Sequence, residues 1–94
     1  MAVIVTQEFE GTPDQYDQVN EKLDARNNPP DGLHIHTAAD AGGGRMRIVD
    51  VWESQGDFES FAQEKVGPAV AEVVGEDAPP PDIKIEELHE VIKP

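Results

Sequence analysis

Strand-like and helix-like periodicities alternate along this chain in the order βαββαβ, and that order leaves few ways to fold. Residues 2–9, AVIVTQEF, are rich in β-branched and apolar types and read as a buried strand. Thr12 suits an N-cap and Pro13 the first helical position, after which Tyr16, Val19 and Leu23 recur at helical spacing as far as Ala25. RNNPPDG then forms a loop, because paired prolines and Gly32 do not continue a helix. Residues 33–39 and 45–53 read as two strands joined by DAGGG, whose glycines allow the positive φ angles of a tight reversal. Ser54 caps a second helix in which Phe58, Phe61, Ala62, Val66, Ala69, Val70 and Val73 form one apolar stripe, with Gly67 and Pro68 expected to divide it into two segments. GEDAPPPD is a proline-rich loop, and IKIEELHEVI reads as a final strand at a sheet edge.

The expected fold is α+β and ferredoxin-like: a four-stranded antiparallel sheet with both helices on one face, built as a single domain over residues 1–94. So short a chain buries a modest core, and the sheet's second face needs a cover. A second copy of the same sheet is the simplest one, which makes a homodimer the expected assembly.

Twenty acidic against seven basic residues give a net charge of −13, which opposes binding to nucleic acid or anionic membranes. Without cysteine there is neither a disulfide framework nor a thiolate metal site. The first residues lack the basic flank and apolar run of a signal peptide, and no later stretch has the apolar length of a membrane span. A cytoplasmic protein is the expectation.

The short stretch GLHIHTAAD holds two histidines separated by a single residue. Side chains alternate along a strand, so Leu33, Ile35 and Thr37 point one way while His34, His36 and Ala38 point the other. Taking DAGGG as the whole loop puts Ala39 opposite Arg45, His36 opposite Ile48 and His34 opposite Asp50. The aliphatic set Leu33, Ile35, Val49 and Val51 is then expected beneath the helices. His34, His36, Asp50 and Trp52 share the other face, towards the dimer interior, as a mixed polar and apolar surface of the kind that lines ligand pockets.

At IVDVWESQGDFESFAQEKVGPAV, residues 48–70, the sequence resembles the antibiotic biosynthesis monooxygenase-like branch of the dimeric α/β-barrel superfamily. A strand ending in Trp-Glu-Ser, a helix with spaced aromatics and a later Gly-Pro carry the likeness, and the βαββαβ order extends it over the chain. The resemblance implies a homodimer whose two sheets pack face to face, with a small-molecule cavity, and an activity drawn from unlike chemistries. Trp52 matches the family's strand-terminal tryptophan. Haem-degrading members carry a ligand histidine in the second helix and related cyclases place a catalytic histidine near its proline. This helix has no histidine, and Val66, Gly67 and Pro68 stand at that point, so both activities are disfavoured.

The leading expectation is a cofactor-independent monooxygenase-like enzyme acting on a small aromatic or polyketide-like molecule. His34, His36 and Asp50 are the candidate catalytic residues: a histidine serves as general base and the carboxylate supports it. Thr6, Met46, Ile48 and Trp52 are the candidate substrate contacts. One alternative is a non-catalytic small-molecule-binding or stress-type barrel. Another is a metal-dependent enzyme, since imidazoles about 7 Å apart on a strand with Asp50 as third ligand match open divalent-metal sites. His89, in the last strand, is a further candidate ligand.

Overall fold

The computed structural model describes residues 1–94. Strand β1 (Val3–Glu10) is followed by helix α1 (Pro13–Leu23), the hairpin β2 (Leu33–Gly42) and β3 (Arg45–Trp52), helices α2 (Gln55–Phe61) and α3 (Gly67–Val74), and strand β4 (Asp82–Glu87). The strands form an open antiparallel sheet in the order β2-β3-β1-β4, with the helices on one face, as the ferredoxin-like pattern requires. No helix is long and apolar enough to cross a membrane.

Local chemistry sets the helix starts. Thr12 Oγ1 accepts from the Gln15 backbone N–H, while the Gln15 side chain accepts in return from the Thr12 N–H, a complete capping box ahead of Pro13. Ser54 Oγ accepts from the Asp57 N–H and opens α2 in the same way. The expected division at Gly67 and Pro68 takes a different form. Backbone angles stay right-handed helical from α2 into α3 through one wider π turn, Ala62–Val66, in which the Gly67 N–H reaches the Ala62 carbonyl five residues back. Proline lacks an N–H and crowds the preceding turn, and the wider turn accommodates both.

The hairpin is tighter than expected. Gly43 and Gly44, with φ of 63° and 76°, form the whole turn, so β2 runs on to Gly42. Tightening moves the partner of Arg45 by three residues, from Ala39 to Gly42, and a register shift between Asp40 and Gly42 takes one back, so the net slip of two preserves faces and changes partners: His36 lies opposite Asp50, and Ala38 opposite Ile48. At the other end of β2 the register shifts between Leu33 and Ile35, leaving His34 as the extra residue of a bulge. Strand β4 ends at Glu87, where the Leu88 N–H bonds to the Ala2 carbonyl, so His89, expected within the last strand, lies beyond it.

The face beneath the helices is the opposite of the expected one. Met46, Ile48, Asp50 and Trp52 are buried on it, whereas Val49 and Val51 are half-buried and Ile35 exposed on the outer face. Strand β1 supplies the reason. Its register places Val3, Val5, Gln7 and Phe9 opposite Trp52, Asp50, Ile48 and Met46. Its alternate set is Ile4, Thr6, Glu8 and Glu10, whose two carboxylates are ill suited to a core. A comparison of β2 and β3 alone favours the aliphatic set, and β1, paired along its whole length with β3, reverses it. The bulge at His34 brings Leu33 round to the Trp52 side, where it packs on the core of Val3, Val5, Trp52 and Phe58.

Candidate functional site

Only nine of the 94 residues are buried, because much of the space between sheet and helices is a cavity and not packed core. Its volume is about 490 Å³, within the usual range for small-molecule sites. Tyr16 and Val19 of α1, Phe58 and Phe61 of α2, Val66 and Val70 further along, and Pro79–Pro81 of the loop before β4 form most of its apolar wall. The sheet contributes Leu33, His36, Ile48, Asp50 and Trp52.

Four of these side chains make one hydrogen-bonded line. His36 Nδ1 lies 2.7 Å from Asp50 Oδ1, Tyr16 Oη lies 2.6 Å from His36 Nε2, and the Trp52 indole N–H donates to Asp50 Oδ2 at 3.3 Å. Asp50 as a carboxylate only accepts, so the hydrogen on a neutral His36 sits on Nδ1 and Nε2 accepts from the Tyr16 hydroxyl. Trp52 is held in turn by Phe58, edge-on with centroids 5.9 Å apart, and by Phe61 at 5.6 Å. With 1% of its surface exposed, Trp52 acts as a fixed wall whose N–H is already committed to Asp50.

Burial raises the Tyr16 phenol above its ordinary value of 10.0. Arg26 pulls the other way, while Asp50 and Asp17 add to the rise. Tyr16 is thus a neutral hydroxyl at physiological pH. Sequence reading placed it on the apolar stripe of α1 and gave it no chemical role. The available signal was that a tyrosine on an inward stripe needs a partner for its O–H.

The two histidines part company. His34 Nε2 bonds Glu53 Oε2 at 2.8 Å, both side chains largely exposed, and does not line the cavity. His34, His36 and Asp50 therefore do not converge, and no group of three His, Asp or Glu side chains is arranged to hold a metal ion. Among the candidate contacts, Ile48 and Trp52 line the cavity. Met46 is buried on the same sheet face but outside the lining, and Thr6 sits on the outer face, opposite Val49 and Lys84. Arg47 pairs with Glu8 on the outer face, and Arg45 pairs with Asp82.

The architecture belongs to the ferredoxin-like α+β class, and the solved structures it resembles are similar almost end to end. SnoaB, a cofactor-independent oxygenase from Streptomyces nogalater, aligns over 97% of this chain and 95% of its own, with 15% identity and a TM-score of 0.64. A Nitrosomonas europaea protein of unknown function aligns over 99% and 94%, with 18% identity and a TM-score of 0.70. A dimeric ferredoxin-like protein of unknown function from Thermobifida fusca aligns over 94% and 92%, at 16% identity and a TM-score of 0.62. At these identities the shared property is the fold, which agrees with the resemblance carried by residues 48–70. No protein-family model and no curated protein matches the sequence.

Proposed function

We propose that this chain is a cofactor-independent monooxygenase of a small aromatic or polyketide-like molecule, working as a cytoplasmic homodimer. The observation that carries the reading is the His36–Asp50 pair set into an otherwise largely apolar cavity of about 490 Å³. An imidazole oriented by a carboxylate is suited to general-base work, and an apolar wall shelters the anion that it creates. The fold shared with SnoaB supports the same chemistry.

In this reading the base removes a proton from a phenol or enol, and the electron-rich anion gives an electron to dioxygen. Recombination forms a carbon-bound hydroperoxide, which loses water. Overall a CH₂ group and O₂ become C=O and H₂O. The substrate supplies all four electrons, so the balance needs no external reductant. Ile4, Ile35, Val49 and Val51 give the outer sheet face an apolar stripe that a second copy would cover. The dimeric Thermobifida fusca protein supports that assembly.

Oxygen uptake by metal-stripped protein with a panel of hydroxyarenes and anthrones tests the reading. The expected result is uptake coupled to a product that has gained one oxygen and lost two hydrogens, with label from ¹⁸O₂. Saturable binding without uptake across the panel would overturn it in favour of a non-catalytic binding protein.

A further inference from the structure

The line of hydrogen bonds does not end at His36. It ends at Tyr16, whose hydroxyl donates its only proton to His36 Nε2 and has no other partner. The two ring planes are nearly parallel, 10° apart with centroids 6.0 Å apart, and their closest link is the 2.6 Å hydrogen bond between Tyr16 Oη and His36 Nε2. With its proton committed to the histidine, the Tyr16 oxygen offers the cavity lone pairs alone, and the group complementary to them is an incoming O–H.

We propose that Tyr16 is the catalytic group that takes the ligand's proton, relaying its own to His36, and that the cavity is therefore selective for a neutral hydroxyarene or enol. The inference rests on the reading of the cavity as a base-equipped ligand pocket and names the atom that touches the ligand. The transfer balances. The ligand O–H proton moves to Tyr16 Oη, the Tyr16 proton moves to His36 Nε2, and the resulting imidazolium faces the Asp50 carboxylate. The tyrosine is neutral before and after, and the only new charges are the ligand anion and the imidazolium.

Selection for a neutral ligand follows from the surrounding charges. Asp50 from β3, Glu10 from the end of β1 and Glu76 from the loop after α3 border the cavity. Asp17 and Arg26, at and beyond α1, also act on Tyr16. No lysine or arginine lines the cavity to receive a carboxylate or phosphate. A ligand arriving as an anion meets carboxylates, whereas one arriving neutral and ionising in place is matched by the imidazolium.

The test is anaerobic, so that it reads proton transfer apart from oxygen chemistry. 4-Nitrophenol and the larger 4-nitro-1-naphthol are titrated with pH while bound, and phenolate absorbance reports ionisation. Bound to the wild type, at least one probe is expected to ionise about tenfold more readily than in free solution. Tyr16→Phe is expected to bind it with the advantage lost, and His36→Gln to lose it as well, both folded by circular dichroism. Equal ionisation on wild type and Tyr16→Phe overturns the relay and leaves His36 as the direct base. Failure of both probes to bind saturably overturns the relay and the pocket reading together. An intact ionisation effect without oxygen uptake on any substrate upholds the relay and overturns the oxygenase reading alone.

Discussion

His34 and His36 stand two residues apart on β2, and each hydrogen-bonds a carboxylate at nearly the same distance, 2.8 Å to Glu53 and 2.7 Å to Asp50. The carboxylates differ: the Glu53 side chain is 65% exposed and the Asp50 side chain 6%. Around Glu53, water competes for every hydrogen bond and screens the charge. Around Asp50 the other oxygen is taken by the Trp52 indole, and His36 has its second nitrogen occupied by Tyr16. The same histidine–carboxylate pairing is an adjustable surface contact in one place and part of a fixed line of hydrogen bonds in the other.

The largest effect expected from this contrast is catalytic. His36→Ala removes the acceptor in the relay and should lower turnover by about 10²-fold or more, in the range that general-base catalysis contributes. His34→Ala should leave turnover within about twofold of wild type. Equal losses in the two variants, measured as kcat/KM for oxygen uptake, would break the distinction. Asp50→Asn sharpens it: the amide oxygen can accept from the Trp52 N–H while the amide NH₂ turns to His36 and moves the imidazole hydrogen to Nε2, and the charge that balances an imidazolium is gone, so kcat should fall.

Stability comes next in size. Asp50→Ala leaves the buried Trp52 N–H and one His36 nitrogen without partners and should cost about 2–4 kcal/mol in urea unfolding. The outer face offers the counterpart. Val51→Lys faces away from the cavity, so it should spare the isolated fold and disrupt a dimer built on that face, as sedimentation equilibrium would show. A dimer undisturbed by Val51→Lys and Val49→Lys would place the interface elsewhere.

Element order was legible in the sequence because each element carries its own local signal: Thr12 and Ser54 as caps, Pro13 at the first turn, glycines at the hairpin. The His36, Asp50 and Trp52 cluster was legible too, since strand alternation survives a two-residue slip. Which side of the sheet it occupied was not. That depends on how β1 pairs with β3, a non-local match that no residue within β2 or β3 encodes. The bulge at His34 was hidden for a related reason. It arises where Gly32, at a φ of 85°, packs against Asp57 at the start of α2, with the Glu53 N–H bonded to the Gly32 carbonyl. Tyr16 escaped notice because its helical spacing explained it fully as an apolar contact.

A smaller effect follows from the raised phenol of Tyr16, and its sign is fixed by linkage. Folding favours the protonated form, so the contribution is fully present below the ordinary phenol value of 10.0 and is lost as pH rises through the higher folded value. Tm should fall more steeply above that pH in the wild type than in Tyr16→Phe. The chain has a single tyrosine, so tyrosinate absorbance reports this group alone. A midpoint at or below 10.0 would mean that the hydroxyl is not held as the relay requires.

The smallest expected effect belongs to the outer histidine. An exposed ion pair gains little Coulomb energy in water and gives some of it back by ordering two side chains, so His34→Ala and Glu53→Gln should each change stability by less than about 1 kcal/mol. Their coupling in a double-mutant cycle should shrink further as salt rises, because both groups lie in solvent within reach of counterions. Coupling between His36 and Asp50 should be larger and nearly independent of salt, since Asp50 is shielded by the sheet and by Trp52. If the two cycles responded alike to salt, burial would not be what separates the histidines, and the bulge that carries His34 out of the cavity would be the whole of the difference.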